Sequence, residues 1–296
     1  MDEATFIAAL RALAPDPAAR GLDDDVAVIA LGGEHLVLTH DMMVEGVHWL
    51  PGQDPADVAW KLVATNLSDL AAKGAAPLGV LLGYGLGGGE ERFLAGLAEA
   101  LVAFDVPLLG GDTVRRAGPA AHGLTALGRA THCPVPTRGG ARPGDALWVT
   151  GTLGDAMLGF EALRESEPGN PGLRDTTRFT RPVPRLAEGR ALAPLVGAMM
   201  DVSDGLLLDA TRMARASGVT LAIDSAACPL PPDLPPTRRR EALAWGDDYE
   251  LLFTLPAGMA PPCPATRIGV VEPAGPAPLL LDGACPQGRL GYQHGA

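Results

Sequence analysis

Aspartate recurs along this chain at the points where apolar segments begin or end, and that placement constrains the fold more than any other feature. Three consecutive carboxylates, Asp23-Asp24-Asp25, precede Val26-Ala27-Val28-Ile29. Others stand in Thr39-His40-Asp41, Asn66-Leu67-Ser68-Asp69, Gly110-Gly111-Asp112, Asp201-Val202-Ser203-Asp204-Gly205 and Gly246-Asp247-Asp248. Surface aspartates usually fall on polar helix faces or in turns. Acids repeatedly set at the ends of buried elements point to convergence on a hard, oxygen-seeking cation. Mg2+ is usually held by a few carboxylates together with substrate phosphates, so phosphate chemistry is the leading expectation.

A chain of 296 residues can form one large domain or two ordinary ones, and at this length roughly 75% of the unfolded surface can be buried. Hydrophobic residues make up 47%, which argues against disorder. The net charge of −12 argues against non-specific binding to nucleic acid or anionic membranes. Anionic phosphates remain accessible to such a protein through intervening metal ions. Lys61 and Lys73 are the two lysines among 23 basic residues. This bias reads as genomic base composition, and it leaves few candidates for a lysine nucleophile. Cys133, Cys228, Cys263 and Cys285 form no C-x-x-C pair, which disfavours a zinc site or disulfide framework and suits a reducing cytosol. The acidic start Met1-Asp2-Glu3 lacks the basic region of a signal peptide. No apolar run reaches the roughly 20 residues that span a bilayer. The expected location is therefore cytoplasmic.

Periodicity and punctuation predict helices over 3–13, 54–73, 90–104, 155–163, 183–195 and 204–217. Strands are expected at 26–31 and 35–39 around the Gly32-Gly33 turn, and then at 78–86, 106–109, 124–130, 146–150, 219–223, 251–255 and 268–271. Asp54-Pro55 supplies an N-cap and a first-turn proline. Val58, Leu62, Thr65 and Asp69 share one face of the helix that follows. The 166–174 and 229–236 segments read as loops, and the Pro/Gly-rich stretch 133–145 as a linker. Alternating strands and helices imply an α/β or α+β fold with domains over residues 1–136 and 137–296.

Each motif carries a structural and a chemical reading. Asp23-Asp24-Asp25 is either a polar turn or a set of Mg2+ ligands. Gly110-Gly111-Asp112 is a tight turn ending a strand, or a backbone that approaches a ligand closely. Ser203 or Asp204 is a plain N-cap, or part of a helix N-terminus that offers amides to a phosphate and, with Asp201, oxygens to its metal. Arg138 is a solvated loop arginine or a bidentate polyphosphate clamp. His48 is structural or touches a substrate phosphate. The phosphate-loop, protein-kinase, serine-hydrolase and H-E-x-x-H signatures are absent, and the glycines at 83–88 are too loose for a dinucleotide site.

Taken in order, these segments resemble the thiamine-monophosphate kinase family of the aminoimidazole-ribotide-synthetase-like superfamily. The resemblance rests on the motifs above together with Gly46-Val47-His48, Asp54-Pro55-Ala56-Asp57, Arg142-Pro143-Gly144-Asp145, Val149-Thr150-Gly151 and Gly246-Asp247-Asp248-Tyr249-Glu250-Leu251. It implies an N-terminal domain whose sheet pairs with that of a twin in a homodimer, and a C-terminal α/β domain folded over it. ATP and several Mg2+ ions would lie in the cleft between them. It also implies metal contacts from Asp25, Thr39, Asp41, Asp69, Asp112, Asp201 and Asp204, with Asp69 and Asp204 nearest the chemistry. ATP would meet Gly111, Asp112, Arg138 and Ser203, and thiamine monophosphate would meet His48, Asp247 and Tyr292. The chain departs from the family at Asp23, where Gly is usual, and at His40, where a small hydroxyl residue is usual. A third departure is Asp247, where Glu is common.

The implied reaction is in-line transfer of the ATP γ-phosphoryl group to thiamine monophosphate. The acceptor phosphate is already ionised near neutral pH, so no strong general base is needed. Competing readings are another ATP-using synthetase or maturation factor of the superfamily, a non-catalytic nucleotide- or metal-binding regulator, and a two-metal phosphatase.

Overall fold

The computed structural model describes residues 3–165 and 174–293. The predicted loop at 166–174 therefore falls outside the described residues except for Arg174. The N-terminal half runs α1 (Glu3–Arg11), β1 (Ala27–Leu31), β2 (Glu34–Val44), α2 (Pro55–Ala72), β3 (Ala75–Leu86), α3 (Glu90–Ala103), β4 (Leu108–Arg115) and β5 (Ala121–Ala130). Its sheet has the order β1-β2-β5-β3-β4, antiparallel except for the parallel pair β3/β4.

One face of this sheet packs on α2 and α3, through Val37, Val80, Leu124 and Ala126 against Leu62, Leu67, Phe93 and Leu97. The other face is open. It presents Ile29, Leu31, Met42, Leu81 and Val114, all exposed. Register sets Asp112, Gly83, Gly123 and Met42 side by side in one row across four strands of that face.

The C-terminal half contributes β6 (Ala146–Val149), α4 (Asp155–Glu165), α5 (Thr177–Thr180), α6 (Leu186–Leu192), β7 (Met199–Asp201), α7 (Leu206–Ser217), β8 (Thr220–Ile223), α8 (Arg239–Leu243), β9 (Leu251–Leu255), β10 (Thr266–Glu272) and β11 (Leu279–Leu281). These strands form a sheet in the order β11-β8-β10-β6-β9-β7. Helix α7 covers it with Leu206, Leu207, Ala210 and Met213.

Helix α2 joins the halves. The Asp54 carboxylate caps it by accepting from the Ala56 amide at 3.0 Å. Beyond its first turn nearly every residue is buried, because one side meets the N-terminal sheet and α3 while the other meets β7 and α6. Burial of Leu62, Val63, Leu67 and Leu70, each 0% exposed, stabilises the fold by about 1.5–3 kcal/mol apiece. Gly189 of α6 lies so close to α2 that a Cβ there would come 2.0 Å from the Ala71 carbonyl oxygen. The predicted helices and strands are present, with β2 and β4 running on to Val44 and Arg115, well past their expected ends at Thr39 and Leu109, and two corrections apply. The predicted helix over 183–195 is cut back to α6, because Pro182 and Pro184 hold the chain extended until Leu186. Gly110-Gly111-Asp112 lies inside strand β4 and forms no turn, since its backbone pairs with β3.

Candidate active site

The acidic motifs converge because the elements bearing them end or bend at the seam between the halves. Before β1 the backbone passes through left-handed conformations at Arg20, Gly21 and Leu22 (φ 52°, 68° and 53°). This bend turns Asp24 and Asp25 inward, where their side chains are 5% and 9% exposed. Thr39 and Asp41 project from the helix-facing side of β2, Asp69 sits near the end of α2, and Asp201 ends β7. Asp25, Asp69 and Asp201 each offer an oxygen within 4.8 Å of the others. Thr39 donates to the Asp69 carboxylate, and Ser68 reaches across the domain seam to donate to Asp201 at 2.6 Å.

Charges this close disturb one another. Burial, followed by the charges of Asp41, Asp201 and Asp25, pushes Asp69 well above the ordinary carboxylate range. Burial and then Asp25 push Asp201 up to about 7, against the hydrogen bond from Ser68. Asp41 keeps solvent access, yet the protein around it and the charges of Asp25 and Asp204 push it up to about 6. Asp25 behaves oppositely. Burial alone would raise it, but Lys73 and Arg138 outweigh that and hold it below the usual range. The Lys73 ammonium, 0% exposed, lies 2.5 Å from Asp24 and 3.1 Å from Asp25.

These acids line one cavity of about 1440 Å3 between the domains. Ser203, Asp204 and Arg138 line it as well, as do His48, Asp247 and Tyr292. Ser203 and Asp204 precede α7, where Gly205 (φ 110°) is the N-cap and no side chain caps the helix. The plain N-cap reading of Ser203 and Asp204 therefore gives way. Their amides instead donate to Asp209, at 3.1 and 3.0 Å. Tyr292 is anchored by its amide, which donates to the Asp204 carbonyl at 2.9 Å. His48 accepts the Val44 amide on Nδ1 at 3.0 Å. Asp247, in left-handed backbone (φ 57°), accepts from Lys61 at 2.8 Å and from Tyr249 at 2.9 Å.

The structure does not bring Gly111 and Asp112 to the cavity of their own chain. Both are exposed on edge strand β4, with Asp112 on the open face of the sheet. Two departures resolve simply. Asp23 stands exposed at the rim of the cavity and pairs there with Arg11 of α1. His40 points to the open face, 2.9 Å from Thr125, because it alternates with Thr39 and Asp41 along β2.

Sequence reading gave no site role to Lys61, Lys73, Asp209, Arg212 or Tyr249, and it offered Asp24 only as a metal ligand, where the structure pairs it with Lys73 and Arg20. Composition offered a signal for the lysines: in a chain that otherwise uses arginine, both are buried beside site carboxylates, 1% and 0% exposed. Base composition explains their scarcity but not their positions. Asp209 was hidden as an ordinary first-turn acid of α7. It is fully buried, paired with Arg212 at 2.8 Å, and raised by burial to about 7.

The oxygen-only donor set and the mutual charge elevation fit a divalent hard cation. The size and amphipathic lining of the cavity, with Phe160, Phe179 and Trp245 at one wall, suit two ligands side by side. Among the described residues no helix is long and apolar enough to cross a membrane.

Comparison with known proteins agrees with this geometry. Residues 23–130 match the AIR synthase related protein N-terminal domain, and residues 142–275 match the AIR synthase related protein C-terminal domain. Thiamine-monophosphate kinase of Caulobacter vibrioides is 42% identical over 252 residues, covering 80% of this chain and 71% of that protein. The Escherichia coli K12 enzyme of the same name is 38% identical over 255 residues, covering 80% and 76%. Among solved structures, AaThiL complexed with AMPPCP and TMP superposes with a TM-score of 0.89 at 31% identity, covering 99% of this chain and 97% of that one. Hydrogenase maturation protein HypE in complex with ATP, at 21% identity and a TM-score of 0.71, shares the fold. By these matches along both domains, the chain belongs to the AIR synthase related family and, within it, to the thiamine-monophosphate kinases.

Proposed function

We propose that this chain transfers the γ-phosphoryl group of ATP to the phosphate of thiamine monophosphate, forming thiamine diphosphate and ADP. One observation carries the reading. A single cavity is lined both by the acidic cluster and by His48, Asp247 and Tyr292, in a chain that superposes along 99% of its length on a relative bound to AMPPCP and TMP.

An acceptor phosphate oxygen attacks the γ-phosphorus, and the bond from that phosphorus to the β,γ-bridging oxygen breaks, releasing ADP. The acceptor is ionised at neutral pH, so the residues need not remove a proton. Their task is to align two anions. Asp25, Asp41, Asp69, Asp201 and Asp204, with Thr39 beside Asp69, would hold Mg2+, whose charge when bound offsets the repulsion between the phosphates. Ser203, at the approach to α7, and Arg138 orient the nucleotide phosphates. His48, Asp247 and Tyr292 orient the acceptor.

A homodimer through the open sheet face completes the site. Met42 lies both on that face and in the cavity lining, so the cavity opens toward whatever covers the face. Gly111 and Asp112 of one copy then serve the cleft of the other. The reaction is assigned to the cytoplasm, in keeping with four free cysteines.

The test is ADP release in the presence of Mg2+ and ATP, with and without thiamine monophosphate. Release that depends on the acceptor, with matching thiamine diphosphate, supports the kinase. Acceptor-independent phosphate release, or nucleotide binding without turnover, overturns it.

A further inference from the structure

Both lysines of this chain are buried at the domain seam, and the mechanism above uses neither. Lys61 is 1% exposed and does not line the cavity. Its ammonium donates to the His48 carbonyl at 3.0 Å and to Asp247 Oδ2 at 2.8 Å, and stands 3.8 Å from the centre of the Phe179 ring. His48 belongs to the N-terminal domain, while Asp247 and Phe179 belong to the C-terminal one. We propose that Lys61 is the positioning residue of the acceptor subsite: it holds His48 and Asp247 at a fixed separation across the seam, and it governs the acceptor rather than the nucleotide.

The geometry supports this in three ways. First, the carboxylate of Asp247 is gripped on both oxygens, by Lys61 on Oδ2 and by the Tyr249 hydroxyl on Oδ1 at 2.9 Å. Lys61 grips from behind the cavity wall and Tyr249 from the lining itself, so the side chain is held on both oxygens where it borders the cavity. Second, the Asp247 backbone sits in a left-handed conformation that a non-glycine residue adopts only when its surroundings impose it. Its amide donates to the Ser203 carbonyl at 2.8 Å, and the Lys61 ion pair supplies the matching constraint on the side chain. Third, the ammonium is enclosed between a carbonyl, a carboxylate and a ring face, a space that suits a compact point charge better than a planar guanidinium. This explains a lysine in a chain that uses arginine elsewhere. A substrate bearing a phosphate and a cationic ring meets the Asp247 carboxylate in a fixed place only while Lys61 tethers it, because an untethered aspartate can turn away into solvent.

The inference rests on the reading that thiamine monophosphate binds against His48 and Asp247. Steady-state kinetics of wild type, Lys61→Met and Tyr249→Phe, varying each substrate in turn, test it. Expected for Lys61→Met is a rise of about 10- to 100-fold in the KM for thiamine monophosphate, with the KM for ATP within about twofold of wild type, the scale of a lost charge-assisted contact. Tyr249→Phe, which removes one hydroxyl, raises the acceptor KM by about three- to tenfold with the same selectivity. Thermal shift gives a second readout: stabilisation by thiamine monophosphate is lost in Lys61→Met, while stabilisation by ATP with Mg2+ is kept. Equal losses for both substrates, or an unchanged acceptor KM, overturn the proposal. If Lys61→Met does not fold, Tyr249→Phe decides on the same terms. Wild type that forms no thiamine diphosphate sinks the parent reading instead, so the two failures are distinguishable.

Discussion

Asp69 sits where an isolated carboxylate would not stay ionised, and that conflict is measurable. Its elevation comes from burial first and then from Asp41, Asp201 and Asp25. A carboxylate raised in the folded state adds stability fully below its ordinary value, near 3.8, and loses that contribution as pH climbs through the folded value, about 7 for Asp201. Metal-free protein should therefore unfold at progressively lower temperature between pH of about 4 and about 7, as followed by circular dichroism in chelator. Asp69→Asn removes one of the crowded charges. It should flatten that slope and raise the melting temperature at pH 7, while lowering kcat by about 10²- to 10³-fold, the scale of a lost electrostatic contact to the transition state. Near-native turnover would refute a catalytic role for Asp69. Lys73 is the counterpart on the cationic side. Lys73→Met strands Asp24 and Asp25, which are nearly as buried as the lysine. Denaturant titration should show a loss of about 3–5 kcal/mol, as for removal of one partner from a buried ion pair. A loss below about 1 kcal/mol would mean that Arg20 and Arg138 suffice to compensate both acids.

Helix α2 is the element on which both domains depend, and its close approach to α6 can be tested directly. Gly189→Ala places a methyl group against the Ala71 carbonyl, so the two helices must separate. Overpacking of this kind should lower stability by about 1–3 kcal/mol in urea unfolding. An unchanged midpoint would show that the seam yields freely. Much of α2 could be read in advance. Asp54-Pro55 marks its start, Gly74 its end, and Asp69 its inward face, because capping and periodicity are local signals. Other elements could not be read so. Strands β7 and β11 span three residues each and exist only through their neighbours in the sheet. Gly110-Gly111 reads as a turn by propensity, yet its partner β3 draws it into a ladder. The spacing of the aspartates showed which acids matter. It could not show that Lys61 and Lys73 answer them, since opposite charges meet there across long stretches of chain. Nor could it show that Asp209 lies inside α7's packed face rather than on its surface.

The whole molecule presents a contradiction that a second copy would remove. The motifs containing Asp25, Asp41, Asp69, Asp201 and Asp204 meet in one cavity, but Gly110-Gly111-Asp112 stays outside it on an exposed strand. The same face carries Ile29, Leu31, Leu81 and Val114 in solvent, an apolar surface of the kind that marks an interface. A two-fold contact presents one patch to itself, so β4 of each chain would meet the face onto which the other chain's cavity opens. If Asp112 acts there, a chain lacking Asp112 and a chain lacking Asp69 fail for different clefts. Mixed dimers of Asp112→Asn and Asp69→Asn contain one cleft with both acids intact and one with neither. Random reassortment of equal amounts makes half of the dimers mixed, so activity should recover to about one quarter of wild type although each variant alone is nearly inactive. Unfolding and refolding the two together, followed by the ADP-release assay, measures this. If Asp112 served its own chain's cleft, every cleft in the mixture would lack one acid and no activity would return.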